Sequence, residues 1–439
     1  MHTIAYISSY LPTRSETFVY REIRELRRRG WNVICVSLRP PEERVAGLDD
    51  LERDRVIVYD SAGSLADFAL KETLSHPLRR ARMGLSHLHD MLAPGERTTL
   101  ATRQKLTGQA IAAVSLARRL RTRGVRHIHC HFASAPATIG MYAAIQLGIP
   151  FSFTGHANDL FQRRHLLRRK LQRAGFVACI SDWHKQFYTQ IEPSGSAKYH
   201  VVRCGVDVEG WTANPATRPG ASLLRIVSVC RLVEKKGVDT LLRGLGLFAR
   251  RNPTSQFHLT VAGDGPQRPQ LESIAQTEQI ADRVRFLGAV DNERVRTLLG
   301  ESDVFALPCR DDASGDRDGI PVVLMEAMAC GLPVISGDLP AIRELVRHDD
   351  SGLLVDGTSA ADVAQAIAAV NGAPDTRARL GQGGRRRVGE EFSLVENVTR
   401  LERLFERSIA GATLSARGVV PITDEAQAGL IRPVGAGKQ

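Results

Sequence analysis

The chain has 439 residues, 43% of them hydrophobic, and a formal net charge of +11, so it can bury a sizeable core and predicts two or three domains. We expect no membrane-spanning helix, because no run approaches the roughly 18 apolar residues that one needs. The apolar run 4–7 is too short for the core of a signal peptide, which indicates a cytosolic protein.

The first half of the chain alternates strand-like and helix-like segments, which favours a parallel α/β sheet. Its predicted strands are 3–8, 33–38, 56–59, 127–131, 151–154, 176–180 and 199–202. A helix is predicted from about Ser15, which can cap it, to Arg29, with Gly30 as its stop. The basic, helix-rich stretch 65–123 is longer than a crossover needs, so it predicts an insertion.

A second series of strands follows the linker-like stretch 205–221, which is rich in Gly, Pro, Asn and Thr. Its predicted strands are 225–230, 256–262, 284–287, 304–307, 333–336 and 352–355. We therefore expect two doubly wound domains, 1–212 and 213–392, then a helix over 393–410 and a mobile tail over 411–439. Ligands of such sheets bind beyond the carboxyl ends of the strands, so the functional residues should lie in the loops that follow them.

The most informative of these loops starts at Asp318 and leads into a predicted helix that contains Glu326. Pro321 suits the first helical position, and Gly331 suits the positive φ that ends a helix. A helix N-terminus can hold a diphosphate, while the two acids can bind sugar hydroxyls, which favours a nucleotide-sugar. The same residues also punctuate ordinary helices, so the interpretation depends on the other loops.

Two further loops of the second domain carry groups that suit a diphosphate. Arg231 and Lys236 follow the first strand and can clamp phosphate oxygens, although they can equally be solvated charges on a capped turn. Gly263 and Gly265 form a tight turn that lets the backbone approach a ligand, as many turns do.

In the first domain, His156 follows a strand and Asp159 comes three residues later. A histidine at this place can act in a cleft, and it can also be a loop residue held by hydrogen bonds. The seven cysteines are far apart and form no C-x-x-C pair, which predicts reduced thiols rather than disulfides or a zinc site.

Most of the positive charge lies in five arginine clusters, four of them within the first 175 residues. The clusters are 21–29, 79–82, 118–126, 163–173 and 377–387. They suit an anionic partner, or they are solvated helix faces. A nucleic acid is disfavoured because only 5% of the residues are aromatic and no recognition-helix signature is present.

Four segments and a pair of acids follow one another in the chain: 231–236, 263–266, 286–288, 302–305, and Asp318 and Glu326 with seven residues between them. In this order they resemble the retaining glycosyltransferases of family 4. The resemblance extends to about residue 408. Within that family, the pieces 15–18, 129–132, 153–159 and 202–207 resemble the colanic-acid type of exopolysaccharide transferases. The resemblance implies the GT-B fold, an α/β architecture of two Rossmann-like domains facing a cleft, with the last helix crossing back to the first domain.

The resemblance also implies roles for individual residues. Arg231 and Lys236 would bind the donor diphosphate, Glu326 the ribose, and His156 would lie near the C6 hydroxyl of the sugar and the reacting centre. Asp318 stands where the family usually has Glu and would contact the transferred sugar; because it is shorter by one methylene, the identity of that sugar stays open. The remaining donor-side residues would be Gly263, Gly265, Gly319, Ile320, Pro321 and Val322. The acceptor-side residues would be Ser15, Glu16, His131 and Asp159.

We therefore expect a retaining hexosyltransferase that needs neither a metal ion nor a cofactor. It would move a hexose from a UDP- or GDP-sugar to a saccharide or a lipid-linked oligosaccharide in the biosynthesis of exopolysaccharide or another cell-surface polysaccharide. The segment 316–318 reads as the D-x-D manganese motif, but Arg231 and Lys236 already supply positive charge, so we expect no metal site there. For a lipid-linked acceptor, the basic first domain would lie on the anionic inner face of the cytoplasmic membrane.

Two other classes of protein stay open from sequence. One is a degenerate GT-B scaffold that binds sugars or a membrane without catalysis. The other is an enzyme of different activity on the same scaffold, such as a sugar-nucleotide epimerase or a phosphorylase, although no lysine site for the pyridoxal phosphate of a phosphorylase is evident.

Overall fold

The computed structural model describes residues 2–13, 16–41, 47–53, 55–92, 99–156, 165–211 and 223–416 of the chain. Two all-parallel sheets account for its strands, one of seven strands and one of six. Within these residues, no helix is both long and apolar enough to cross a membrane.

The first sheet has the strand order β3-β2-β1-β4-β5-β6-β7. Its strands are β1 Thr3–Ser8, β2 Asn32–Ser37, β3 Val56–Ile57, β4 His127–His131, β5 Phe151–Gly155, β6 Phe176–Cys179 and β7 Tyr199–Val201. The helices between them are α1 Thr17–Arg28, α2 Asp49–Glu52, α3 Ala62–Ser75, α4 Pro77–Leu92, α5 Leu100–Arg121, α6 Ala135–Leu147, α7 Leu167–Arg173 and α8 Asp182–Ile191. Three of these helices, α3 to α5, lie between β3 and β4, over the stretch in which the sequence predicts an insertion.

The second sheet has the strand order β10-β9-β8-β11-β12-β13. Its strands are β8 Leu223–Val229, β9 Gln256–Ala262, β10 Val284–Gly288, β11 Val304–Leu307, β12 Val334–Gly337 and β13 Leu353–Val355. Its helices are α9 Val238–Arg251, α10 Arg268–Thr277, α11 Asn292–Glu301, α12 Val322–Ala329, α13 Pro340–Leu345, α14 Ala360–Val370 and α15 Pro374–Glu391. Both sheets reverse their winding at a central pair of strands, β1/β4 and β8/β11, so the predicted doubly wound α/β fold is confirmed.

The central strands of the first sheet, β1, β4, β5 and β6, are buried on both faces because helices cover the sheet on both sides. In β1, Ile4 and Tyr6 belong to one hydrophobic cluster, and Ala5 and Ile7 belong to another on the opposite face. The second sheet likewise has two clusters. Burial on both faces explains why β1 and β2 read as nearly continuous apolar runs rather than as alternating ones.

The last described helix, α16 (Leu394–Ala416), crosses back from the second half and packs on the first sheet. Its buried side chains Leu401, Phe405 and Ile409 belong to the same cluster as Ile4 and Tyr6. The crossing is therefore confirmed. The helix continues to Ala416, past the predicted end at residue 410, and residues 417–439 of the predicted tail lie outside the described residues.

The face of β4 that meets α16 is polar, although it is fully buried. His127 and His129 both hydrogen-bond to the hydroxyl of Ser152, at 2.7 and 2.8 Å. The ring of Phe405 meets both imidazoles edge-on, with centroids 5.1 and 5.3 Å away. Burial lowers the pKa of His127 to about 3 and that of His129 well below its ordinary value. The seam between the crossover helix and the sheet therefore contains neutral histidines.

We predict that Phe405→Ala lowers the free energy of unfolding by about 3–5 kcal/mol, because the ring is fully buried among aromatic and imidazole rings. The measurement is urea denaturation followed by circular dichroism. Val395→Ala on the same helix is the control, since that side chain is 46% exposed. Equal stability of the two variants would contradict the packing of α16 described above.

We also predict that the protein loses stability as the pH falls below about 6.5, the ordinary pKa of histidine in an unfolded chain. Burial keeps the pKa of His127, His129, His156 and His184 low in the folded state. The unfolded chain then binds more protons, and each histidine contributes up to about 1.4 kcal/mol per pH unit. Urea denaturation at pH 7.5 and 5.0 measures the loss. His127→Gln keeps a polar partner for Ser152 and should reduce the loss of unfolding free energy between pH 7.5 and pH 5.0. An equal loss in the variant would contradict the role of His127 in this pH dependence.

Candidate functional site

The loop that carries Arg231 is held against the turn that contains Gly263 and Gly265. The N–H of Leu232 donates to the carbonyl of Asp264 at 2.9 Å. A Cβ atom at Gly263 would collide with the carbonyl of Cys230, and one at Gly265 with that of Leu232. Both glycines are therefore required for the two loops to pack together, a structural role that the sequence interpretation did not include.

Lys236 and Asp318, which the sequence places far apart, form an ion pair with 2.7 Å between Nζ and Oδ2. Burial opposes the charge of Lys236, but the Asp318 carboxylate outweighs it and holds the pKa of this ammonium above its ordinary value. Burial likewise opposes the charge of Asp318, and the Lys236 and Lys235 ammonium groups hold its pKa below its ordinary value. Both side chains are thus charged at neutral pH.

The neighbouring residues complete this cluster. Lys235 Nζ lies 2.9 Å from Asp316 Oδ2, so each acid of the D-x-D segment pairs with a lysine. Cys309 donates its thiol hydrogen to Asp318 at 3.4 Å, and burial keeps the pKa of that thiol well above its ordinary value. By contrast, the Arg231 side chain is exposed, and no carboxylate of the described residues pairs with it. Arg231 is therefore available to an anion from solution.

Helix α12 begins directly after this cluster. The helix begins at Val322, one residue later than predicted, so Pro321 is its N-cap and not its first helical residue. No side chain of the described residues caps the helix. Gly331 has the predicted positive φ of 74° just after the helix end. Gly319 and Ile320 precede this helix N-terminus, and Val322 is its first residue. The N–H groups of the first helical turn therefore stay available to an anion.

Glu326 is buried on α12 and meets an arginine from the first half of the chain. Its Oε1 lies 2.6 Å from an Nη atom of Arg21 on α1. The preceding residue, Tyr20, accepts a hydrogen bond of 2.6 Å from Asn292 of the second half. Helix α1 therefore contacts the second half of the chain at the carboxylate that the resemblance assigns to the ribose.

On the acceptor side, His131 and His156 lie at the carboxyl ends of the neighbouring strands β4 and β5. Nδ1 of His131 is 3.2 Å from Nε2 of His156, and Nε2 of His131 is 3.3 Å from Glu22. Tyr6 donates its hydroxyl hydrogen to the same Glu22 oxygen at 2.6 Å. These contacts form a chain of hydrogen bonds, Tyr6–Glu22–His131–His156, which we call the histidine relay.

The relay fixes the tautomers when Glu22 is ionised, because a carboxylate can only accept hydrogen bonds. His131 then carries its proton on Nε2 and accepts through Nδ1 from the Nε2–H of His156. Burial, and then the neighbouring imidazoles of His131 and His184, keep the pKa of His156 well below its ordinary value. His156 is therefore neutral with Nδ1 as its acceptor atom.

The atoms of Glu22, His129 and His131 lie within 4.8 Å of one another, close enough to hold a metal ion. Each of them already has protein partners: both ring nitrogens of His129 contact the hydroxyls of Ser152 and Thr154, at 2.8 and 3.1 Å. We therefore interpret the cluster as part of the hydrogen-bonded interior.

His184 on α8 connects the acceptor side to the donor side. Its Nε2 lies 3.2 Å from the carbonyl oxygen of His156. A Cβ atom at Gly319 would lie 3.7 Å from His184 Cε1 and 3.2 Å from Ile180 Cδ1. Glu344 of α13 accepts the first N–H groups of α8 at 2.8 Å. The loop before α12 is thus packed directly on the residues that hold His156.

Two of the predicted acceptor-side residues, Ser15 and Asp159, lie outside the described residues. Glu16 accepts a hydrogen bond of 3.0 Å from Ser8, at the carboxyl end of β1. The sequence interpretation missed Glu22, although an acid at the border of the buried stripe of an amphipathic helix was a usable signal. It also missed Arg21 and His184, whose partners are distant in sequence and left no local signal.

Two family models match the chain. Residues 95–209 match the model described as Glycosyltransferase Family 4, and residues 220–387 match Glycosyl transferases group 1. A Mycobacterium tuberculosis H37Rv protein named GDP-mannose-dependent alpha-(1-6)-phosphatidylinositol monomannoside mannosyltransferase is 34% identical over 240 residues, which are 52% of this chain and 61% of that protein. The putative colanic acid biosynthesis glycosyltransferase WcaL of Escherichia coli K12 is 38% identical over 172 residues, 39% of this chain and 42% of that protein. Both alignments span less than two thirds of the relative's own length.

Solved structures share the whole fold at low sequence identity. A sucrose-phosphate synthase from Thermosynechococcus elongatus superposes with a TM-score of 0.69 at 19% identity, over 94% of this chain and 100% of the other. The Anabaena protein HepE, solved in complex with UDP, gives 0.68 at 15% identity, over 93% and 100%. Since the two family models together cover more than half of the chain and the fold is that of these structures, the chain belongs to the family 4 glycosyltransferases with the GT-B fold.

Proposed function

We propose that the protein is a retaining, metal-independent hexosyltransferase. It moves a hexose from a UDP- or GDP-sugar to a saccharide or lipid-linked oligosaccharide acceptor during the biosynthesis of exopolysaccharide or another cell-surface polysaccharide. The observation that carries the proposal is the uncapped N-terminus of α12, with the Lys236–Asp318 pair beside it and His184 joining it to His156. We further propose that the enzyme acts in the cytoplasm, on the inner face of the membrane.

The relatives support a surface polysaccharide or a lipid-borne acceptor. WcaL is named for colanic acid, an exopolysaccharide, and the mycobacterial relative is named for a phosphatidylinositol mannoside. The name of that relative includes GDP-mannose, whereas HepE was solved with UDP. We therefore leave both nucleotides open for this chain.

Departure of a nucleoside diphosphate from the anomeric carbon leaves negative charge on the phosphate oxygens. Arg231, Lys236 and the N–H groups that start α12 would stabilise this charge as it develops, which is where electrostatic catalysis has its effect. The three N–H groups of the Lys236 ammonium allow it to keep Asp318 as a partner while it binds a phosphate. Asp318 would in turn accept hydrogen bonds from hydroxyls of the transferred sugar.

Donor binding would require Glu326 to exchange one partner for another. Its carboxylate now contacts Arg21 at 2.6 Å, and ribose hydroxyls would replace that guanidinium. Arg21 is positively charged and lies beside Glu326, so it can contact the anionic donor once the ribose has replaced it at Glu326. Binding of the nucleotide therefore changes a contact that joins the two halves of the chain.

On the acceptor side, His156 would hydrogen-bond to a sugar hydroxyl and orient the sugar. In a retaining front-face transfer, the leaving phosphate takes the proton of the attacking hydroxyl, so no protein nucleophile is required. Tyr6, Glu22 and His131 would be positioning residues that hold His156 in this tautomer. The lysine partners of Asp316 and Asp318 support a transfer without a metal ion, because they already neutralise those acids.

We predict that UDP or GDP, but not both equally, raises the thermal midpoint, and that EDTA leaves the shift unchanged. A nucleotide at about 100 times its Kd adds about 2.7 kcal/mol of stability, which moves the midpoint of a protein of this size by a few degrees or less. ADP and dTDP serve as comparison nucleotides in the same fluorimetric measurement. A shift that EDTA removes would contradict the metal-independent mechanism.

The same assay tests the donor residues. We expect Lys236→Ala and Glu326→Gln to weaken binding of the preferred nucleotide about tenfold or more, since each removes a charged hydrogen-bond partner. Glu272→Gln is the matched control, because Glu272 pairs with Arg268 on the exposed side of α10. Full shifts in both site variants would overturn the donor-site assignment.

We predict that Glu22→Gln lowers kcat on the order of tenfold or more with little change in the KM of the donor, because the amide no longer enforces one tautomer of His131. The ¹⁵N shifts of labelled histidines report the tautomers directly, without a substrate. Glu25→Gln on the same helix is the control, since Glu25 pairs with Arg28 and Arg29 instead. Unaltered histidine shifts in Glu22→Gln would refute the relay, and an inverted anomeric configuration in the product would refute retention.

A further inference from the structure

An apolar surface lies on the helices that precede β4. Among the residues the structure describes, ten large apolar side chains are exposed, and eight of them fall between positions 70 and 111. These eight are Leu70, Leu74, Leu78, Leu85, Leu88, Leu92, Leu100 and Ile111. Because a monomeric soluble protein rarely concentrates exposed leucines in this way, the surface indicates an interaction.

Helix α4 has its apolar stripe on the outside. Leu78, Leu85, Leu88 and Leu92 recur at helical spacing and are 85%, 68%, 54% and 70% exposed. The inner side of the same helix carries Asp90, which is buried and accepts hydrogen bonds from Tyr142 and Arg173, at 2.9 and 2.8 Å. The same side also carries Met83, which is fully buried in the hydrophobic core of the first half. The helix is thus attached through Met83 and a polar network, and it presents its leucines to the outside.

The charges around the stripe are positive. Helices α3, α4 and α5 together carry nine Lys or Arg residues and three Asp or Glu residues. Glu72 is buried and pairs with Arg121, which is one of these nine cations, and Asp90 is buried and pairs with Arg173. Within the part of the chain that the structure describes, neither acid pairs with an arginine of α4. Arg79 and Arg82 are exposed on the helix that carries the leucine stripe. Leucines next to arginines are typical of helices that lie in the interface of an anionic membrane.

A cavity of about 740 Å³ opens beside this surface. It lies between α5 and the loops that follow β1 and β2, and its lining includes the cations Arg39 and Lys105. Ile111 of α5 lines the cavity and is also one of the exposed apolar residues.

We propose that the leucine stripe of α4, with the adjoining end of α3, docks on an anionic lipid bilayer. Its leucines enter the boundary between headgroups and acyl chains, and its arginines contact the lipid phosphates. The identity of the acceptor rests on the proposed function, but the docking itself requires no glycosyl transfer. The charge of the three helices favours lipid over a second copy of this chain, because two such surfaces would repel each other.

The test is co-sedimentation of the full chain with vesicles of phosphatidylcholine alone and with vesicles of equal parts phosphatidylcholine and phosphatidylglycerol. We expect binding only to the anionic vesicles, reduced by salt. The triple variant Leu78→Ser, Leu85→Ser, Leu88→Ser should bind about tenfold or more weakly, because less apolar area is buried. The control is Leu223→Ser with Val395→Ser, two exposed apolar residues outside the surface.

Each other outcome overturns the docking proposal. These outcomes are equal binding of the triple variant, binding to neutral vesicles that salt does not affect, and failure to sediment with either vesicle. If light scattering without lipid shows a dimer that the triple variant loses, a second copy covers the surface instead. The nucleotide-induced thermal shift of the triple variant should equal that of the unaltered chain. If neither the triple variant nor the unaltered chain shows a thermal shift with any nucleotide, that result counts against the proposed function alone, because vesicle binding is measured separately.

Discussion

His184 lies where the two halves of the site meet. The loop ahead of α12 packs on it at Gly319, where an added Cβ atom would lie 3.7 Å from His184 Cε1 and 3.2 Å from Ile180 Cδ1. His184 also contacts the carbonyl of His156, so one imidazole positions both the donor-side loop and the acceptor-side histidine. Glu344, from the second half, accepts the first N–H groups of α8 and holds this helix in place.

The donor side is charged but balanced. Lys236 pairs with Asp318, and Glu326 pairs with Arg21, so neither carboxylate is left buried without a partner. In the proposed function, binding of an anionic nucleotide to such a site would be an exchange of partners rather than a simple attraction.

The first half combines a polar interior with an apolar outer surface. Histidines of β4 and β5 are buried and satisfied by hydroxyls, by Glu22 and by one another, which keeps them neutral and fixed. Helix α4 has the opposite arrangement, with Asp90 inside and leucines outside. Buried imidazoles and exposed leucines both depart from the usual pattern of a soluble domain, in which polar side chains are outside and apolar ones inside. Both features lie in the half proposed to bind the acceptor.

The sequence by itself determined the two parallel sheets, the last helix and the loops that hold Arg231, Lys236, Asp318 and His156, because periodicity, strand length and helix punctuation are local properties. The crossing of that helix to the first sheet was implied by the family resemblance. Only the tertiary structure decided which of these groups are partners. Arg21 and Glu326 are 305 residues apart in the chain, and the histidine relay joins β1, α1, β4 and the end of β5. Such pairs leave no pattern within a sequence window, since they exist only where the carboxyl ends of strands and the helices from both halves converge.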